Sequence, residues 1–124
     1  MLQTAFGFEP QQSLQLDAMC NDKVDHTIMG VLLLHFAKLF GGVINFGGAL
    51  LPPLSVVMEQ DMRLWEEGNW EDVESYFSEM VEGISGKAVS IKYEVGNGRT
   101  WAYHVADAAF LKAWLEHPNF HMIK

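Results

Sequence analysis

One hairpin pattern constrains the fold of this chain more than any other part of its 124 residues. Two runs of alternating apolar and polar residues, 89–95 and 101–106, flank the turn sequence Gly96-Asn97-Gly98. Alternation with a period of two predicts β-strands, and glycine and asparagine supply the positive φ angles of a tight hairpin turn. The stretch therefore predicts two adjacent antiparallel strands.

Three helices are predicted around the hairpin. Residues 21–42 hold capping side chains at one end, two glycines at the other, and apolar residues around most of the circumference. Such a pattern predicts a central helix that other elements cover, and Gly30 in its middle indicates close packing. Residues 69–84 read as an amphipathic helix with an acidic outer face, and residues 107–117 as a final helix with an aspartate cap.

Shorter segments complete the expected architecture. Strands are predicted at Leu14–Met19 and at 43–46, with a further edge strand in the last six residues and a helix over 54–68. Together these elements predict a single α+β domain over residues 1–124. Its sheet is small and mostly antiparallel, with about four to five strands covered by three to four helices.

The negative charge of the chain is concentrated in one segment. Residues 59–82 contain nine acidic residues and one basic residue, Arg63, so their net charge is −8. The rest of the chain has seven acidic and seven basic residues and is neutral. Such a segment repels nucleic acids and anionic membranes and attracts cations or a basic protein surface.

Two interpretations of the acidic segment stay open. The first is an ordinary solubilising surface. The second is a docking face for a basic protein, where charge complementarity accelerates encounter and a few anchor residues set affinity. The candidate partner-binding residues are acidic and lie within this segment: Asp61, Glu66, Glu67, Glu71, Asp72, Glu74, Glu79 and Glu82.

No motif for catalysis, metal binding or a cofactor is found. The five histidines lack the spacing of a metal site, because Pro118 separates His117 from His121 and no HExxH or CxxC occurs. No serine lies in a nucleophile turn, and the glycine-rich residues 41–48 lack the lysine of a phosphate-binding loop. The prediction is a protein that is not an enzyme and holds neither a cofactor nor a metal.

The predicted location is the cytoplasm. No run of about 18 uncharged apolar residues is present, and the N-terminus lacks the basic start and apolar stretch of a secretory signal. The single cysteine, Cys20, cannot form an internal disulfide, and free cysteines are most often buried.

Two stretches carry a resemblance to a known family. They are 18–50, AMCNDKVDHTIMGVLLLHFAKLFGGVINFGGAL, and 98–124, GRTWAYHVADAAFLKAWLEHPNFHMIK. They resemble an uncharacterised family of small bacterial proteins, which are similar in style to the immunity proteins of polymorphic and contact-dependent toxins. Relatives often carry residues before the point where this chain begins, so the resemblance leaves open a missing N-terminal element.

The resemblance implies a function that fits the charge. An immunity protein binds its cognate toxin directly and needs no active site. An acidic face would complement the charge of a basic toxin surface. The resemblance therefore implies a toxin protein as the partner, and the charge of the chain predicts that neither nucleic acid nor a membrane is bound.

Two alternatives remain. A small-molecule-binding or enzymatic α+β domain would have its pocket near Trp101, Tyr103, His104 and His121, with convergent polar groups. A scaffold or homodimer would instead form through the exposed edge of the hairpin.

Overall fold

The computed structural model describes residues 2–17, 22–50, 70–118 and 120–122. Its helices are α1 (Leu2–Phe6), α2 (Lys23–Phe40), α3 (Trp70–Met80) and α4 (Ala108–Leu115), and its strands are β1 (Ile44–Asn45), β2 (Ala88–Gly96) and β3 (Arg99–Ala106). The α+β class predicted from the sequence is confirmed. Within the described ranges, no helix has the length and apolarity required to cross a membrane.

The hairpin forms where the sequence predicts it. β2 pairs antiparallel with β3, with Ser90 opposite His104 and Tyr93 opposite Trp101. All three turn residues have positive φ, at 94° for Gly96, 53° for Asn97 and 70° for Gly98. A register shift between Glu94 and Gly96 accommodates the turn, so glycine and asparagine are needed there for the backbone angles that they tolerate.

β3 is the middle strand of the sheet. The order is β1-β3-β2, and β1 pairs antiparallel with β3, with Ile44 opposite Ala106. The chain after β1 continues along the same edge, because Phe46 N donates to His104 O and His104 N donates to Gly48 O, both at 3.0 Å. The buried strand predicted at 43–46 is thus present, although its regular part is Ile44–Asn45.

α2 begins and ends at the expected caps. The Asp22 side chain accepts a hydrogen bond from Asp25 N, and Gly41 ends the helix in the left-handed conformation with φ of 67°. Gly30 lies against α4 and the C-terminal tail, since a Cβ atom there would be 2.7 Å from Leu115 Cδ2 and 3.0 Å from a ring carbon of Phe120. The close packing predicted at Gly30 is confirmed.

The prediction that α2 is covered on most sides is wrong. Gly30 and Ala37 are its buried residues. Large apolar side chains elsewhere on the helix are exposed: Val24, Ile28, Val31, Leu32, Leu39 and Phe40. These exposed residues recur at helical spacing, so α2 packs on the domain through one face and leaves a second apolar face open among the described residues.

The core lies between the sheet and helices α2, α3 and α4. Its largest buried side chains include Trp114, Phe110 and Leu111 of α4. Asp107 caps α4 by accepting from Phe110 N at 2.8 Å, and the same carboxylate accepts from Lys87 N at 3.1 Å. One aspartate thus fixes the start of α4 against the residue that precedes β2.

Some predicted strands do not form in the described residues. The sheet has three strands there, fewer than the four to five predicted. Residues 14–17 of the predicted strand Leu14–Met19 are irregular, and Leu14 is 58% exposed. The tail residues 120–122 are also irregular. The helix predicted over 54–68, and Cys20, lie outside the described residues.

Candidate partner-binding surface

α3 is oriented by two buried apolar residues. Phe77 and Met80 are 3% and 8% exposed, and the Phe77 ring stacks on the His104 ring at a centroid distance of 3.7 Å and an angle of 15°. Because these residues fix the inner side of the helix, Ser75, Ser78 and Glu79 are turned outward and are exposed. The amphipathic helix predicted from the sequence is therefore present.

Exposed acids collect at the C-terminal end of α3. Glu79 lies in its last turn and Glu82 in the turn that follows, both are exposed, and the last turn contains no basic residue. A helix C-terminus carries a partial negative charge, so carboxylates are unfavourable there by about 0.3–1 kcal/mol each. The charge at this position therefore does not stabilise the helix.

Glu74 differs from the outer-face position that the sequence predicts for it. The residue is half-buried, on the side of α3 that also carries Phe77. Its Oε2 atom is buried and accepts no hydrogen bond. A buried oxygen without a donor is unfavourable by about 1–3 kcal/mol, and more when the group is charged. The acidic surface thus includes one carboxylate whose hydrogen-bonding capacity is unused in the isolated chain.

Five of the eight candidate acids are only partly described or not described. Glu71 and Asp72 occupy the first turn of α3, where the backbone alone is described. Asp61, Glu66 and Glu67 lie outside the described residues. The described part of the surface is thus Glu74, Glu79 and Glu82, which we call the α3 acidic face.

His104 forms a hydrogen-bonded clamp in the middle of the sheet. Its side chain is fully buried, Nδ1 accepts from Leu50 N at 2.7 Å, and Nε2 lies 2.9 Å from Ser90 Oγ. Because Nδ1 is an acceptor, the proton of the neutral ring is on Nε2 and is donated to Ser90. The clamp attaches the chain at Leu50 to both strands of the hairpin.

The environment of His104 keeps the ring neutral. Burial lowers its pKa from 6.5 to about 4, because an apolar environment disfavours the charged form. Both ring nitrogens are already hydrogen-bonded, and Phe77 covers one ring face. His104 is therefore a structural residue, with no nitrogen left for a substrate or a metal.

The four residues considered for a pocket, Trp101, Tyr103, His104 and His121, do not surround a common space. Trp101 and Tyr103 lie opposite Tyr93 and Ile91, on one face of the sheet, whereas His104 points to the other face with Ser90. His121 packs against Trp114, at a ring centroid distance of 5.6 Å. In the part of the chain that the structure describes, no three His, Cys, Asp or Glu residues are grouped to hold a metal.

Two side-chain hydrogen bonds hold the C-terminal tail. Met122 N donates to His26 Nδ1 at 2.8 Å, and Trp114 Nε1 donates to His121 O at 3.1 Å. The first bond joins the first turn of α2 to the C-terminal tail. The sequence does not predict it, because the two residues are 96 positions apart. His26 and Met122, one from each of the two stretches that carry the family resemblance, thus meet in the folded chain and have a structural role.

The fold and site define a small α+β domain with an antiparallel sheet, a structural histidine and an acidic helix face. The chain belongs to the family of unknown function DUF6368, whose match covers residues 1–124. Searches of the curated proteins and of the solved structures found no match.

Proposed function

We propose that this protein is an immunity protein that neutralises a cognate bacterial toxin by direct binding through the acidic segment 59–82. The observation that carries the proposal is the α3 acidic face, where carboxylates are exposed against the direction of the helix dipole. These carboxylates do not stabilise their own helix, and recognition of a basic partner would account for them.

Glu74 adds a second observation in support of binding. Its buried Oε2 atom lacks a donor in the isolated chain. An arginine or lysine of a partner would bind this carboxylate once the Glu74 side chain turns outward, and that turn would also remove the unfavourable burial of Oε2.

The physical action requires no chemistry by the protein itself. A segment with a net charge of −8 in an otherwise neutral chain accelerates encounter with a basic surface, and this acceleration falls with ionic strength. A toxin that binds nucleic acid has such a surface at its substrate groove. The rigid sheet and the buried side of α3 hold the acids in place, so the inhibitor occupies that groove.

A growth assay tests the proposal. The genes adjacent to that of this chain are expressed one by one, with and without the chain, and one of their products is expected to arrest growth alone. Growth should return with the wild-type chain and fail with Glu79→Lys/Glu82→Lys. The reversal acts because two repulsive charges then face the basic toxin.

A matched control distinguishes the effect of charge on the α3 acidic face from the effect of the total net charge. Glu9 and Glu116 are exposed acids elsewhere in the chain, so Glu9→Lys/Glu116→Lys changes the net charge equally and should still restore growth. If both double variants restore growth like the wild type, the α3 acidic face is not the contact. If no neighbouring product is toxic or neutralised, the immunity role is wrong.

A further inference from the structure

The C-terminal tail, residues 120–122, packs against α2 and α4. The Phe120 ring lies over Gly30, where a Cβ atom would be 3.0 Å from a ring carbon, and it meets the Trp114 ring edge-on at a centroid distance of 6.0 Å. Trp114 is fully buried, and its Nε1 atom donates to His121 O at 3.1 Å. The tail therefore covers one side of the Trp114 indole and accepts its hydrogen bond.

One hydrogen bond of the tail depends on a side chain that can be titrated. Met122 is buried, and its backbone N–H donates to Nδ1 of the half-buried His26, in the first turn of α2, at 2.8 Å. Because Nδ1 is the acceptor, the neutral ring carries its proton on Nε2. The bond therefore requires one tautomer of the neutral imidazole.

Protonation of His26 removes the acceptor of this bond. Both nitrogens of an imidazolium are donors, so a protonated Nδ1 would face the Met122 N–H with a second N–H group. A buried donor that loses its acceptor is unfavourable in the docked state. Histidine ordinarily gains its charge between about pH 8 and pH 5. The bond is therefore expected at neutral pH and is lost when His26 becomes charged.

The other charged groups near this point do not replace the lost bond. A carboxylate can attract a charged imidazole, but it does not give Nδ1 back its capacity to accept from Met122 N. The titratable and charged groups on the elements that pack here are Asp22, Lys23 and Asp25 at the start of α2, Glu116 and His117 at the end of α4, and His121 in the tail, with Lys124 outside the described residues.

We propose that His26 anchors the C-terminal tail in a pH-dependent manner. When the ring is neutral, it binds the Met122 N–H and the tail covers Trp114. When Nδ1 is protonated, the tail is released and the Trp114 Nε1–H loses its bond to His121 O. The device uses contacts of α2, α4 and the tail and none of the α3 acidic face, so it is independent of the toxin-binding role.

Hydrogen exchange, measured by NMR on the full chain at pH 7.5 and 5.0, tests the proposal. The protection factor of the Met122 N–H, which corrects for the intrinsic effect of pH on exchange, should fall about tenfold or more at pH 5.0. The Trp114 Nε1–H should lose protection with it. The His104 N–H, which donates to Gly48 O, reports opening of the sheet and should stay protected, because the pKa of the buried His104 ring is about 4.

Two substitutions of His26 separate titration from hydrogen bonding. Asparagine Oδ1 is as many bonds from Cα as histidine Nδ1 and accepts at both pH values, so His26→Asn should keep the Met122 N–H protected at pH 7.5 and 5.0. His26→Ala removes the acceptor and should leave the Met122 N–H poorly protected at both. His35→Asn, which replaces an exposed histidine of the same helix, should behave like the wild type.

Three results would overturn the anchoring role of His26. The first is a wild type whose Met122 N–H has equal protection at both pH values. The second is a His26→Asn variant that loses this protection at pH 5.0 as the wild type does, because another group would then be titrating. The third is an equal loss at the Met122 and His104 amides, since the whole fold rather than the tail would then be opening.

Discussion

His104 is a residue whose role depends on staying uncharged. It joins Leu50 to β3 and reaches Ser90 on β2, while Phe77 of α3 stacks on its ring. A proton on Nδ1 would abolish the bond from Leu50 and place a charge in the core, which explains why burial lowers the pKa of this imidazole to about 4. The segment at Leu50, the hairpin and α3 therefore all depend on the neutral form of His104.

The free energy of unfolding is expected to decrease as the pH falls from 6.5 to 4. In that window an unfolded chain protonates His104, whose ordinary pKa is 6.5, whereas the folded chain keeps it neutral. The stability that the neutral His104 ring contributes is fully present above pH 6.5 and is lost as the pH falls through about 4. It amounts to on the order of 3 kcal/mol.

Denaturant unfolding of His104→Phe at pH 7.5 and 4.5 isolates this contribution. The phenylalanine retains a ring but leaves the Leu50 N–H without an acceptor, which costs about 1–3 kcal/mol at the higher pH. The difference in unfolding free energy between the wild type and the variant should be smaller at pH 4.5, because only the wild type loses the His104 contribution there. Ser90→Ala, which keeps the imidazole, should retain the wild-type pH dependence. An unchanged deficit in His104→Phe would show that His104 does not titrate as described.

At the scale of elements, α3 carries charge that opposes its own stability. Its inner residues pack on the sheet, while Glu79 and Glu82 place negative charge at the negative end of the helix. Phe77, which stacks on His104, could be predicted to be buried from its spacing. The half-buried position of Glu74 could not, because it depends on how deeply the helix is set against its neighbours.

Glu79→Lys is expected to stabilise the isolated protein while weakening toxin binding. A lysine in the last turn interacts favourably with the helix dipole, so the free energy of unfolding should rise by about 0.3–1 kcal/mol at low salt. Glu79→Gln should give a smaller increase. Thermal unfolding at low and high salt measures both. A fall in stability would mean that Glu79 has a structural role in the free chain.

The turn between α3 and β2 depends on one glycine for space as well as for its backbone angle. Gly86 has φ of 86°, and a Cβ atom there would lie 2.1 Å from Phe110 N at the start of α4. Gly83, in the same turn, has φ of 79° with open space around it. Local sequence identifies both glycines as turn residues but cannot distinguish them, because Phe110 is distant in the chain.

Gly86→Ala should be far more destabilising than Gly83→Ala. Both substitutions force alanine to a positive φ, at about 1–2 kcal/mol. Gly86→Ala additionally clashes with backbone atoms that cannot rotate away, so a total loss above about 4 kcal/mol is expected. Denaturant unfolding of the pair checks the difference. Equal losses would contradict the contact between this turn and α4.

α2 shows where sequence patterns stop being informative. Apolar residues on most of its circumference favour a central helix, yet Val24, Ile28 and Leu39 are exposed. The pattern records which faces are apolar but not which neighbours are present to cover them. Residues 14–17 of the strand predicted at Leu14–Met19 are irregular for a related reason, since alternation over a few residues does not guarantee a partner strand.

At the scale of the whole molecule, the predictable parts are those with local causes. The hairpin follows from its turn, α4 from its aspartate cap, and the buried strand near Ile44 from the glycines beside it. The strand order β1-β3-β2 and the bond between His26 and Met122 join distant residues. Neither could be predicted from one sequence.

The candidate site likewise has a part that the sequence could predict and a part that it could not. The sequence locates the excess charge in residues 59–82, and the structure shows Glu79 and Glu82 exposed and Glu74 half-buried within it. A partner for those acids lies outside the chain and stays a prediction. The family match covers residues 1–124 and adds no function.

The affinity of the chain for the toxic product of an adjacent gene, measured calorimetrically at low and high salt, tests the central claim most directly. We predict tight binding that weakens with salt. Glu79→Lys/Glu82→Lys should weaken it about 100-fold at low salt, and Glu9→Lys/Glu116→Lys about threefold or less. Equal affinities for the wild type and both variants, with no dependence on salt, would contradict recognition through the α3 acidic face.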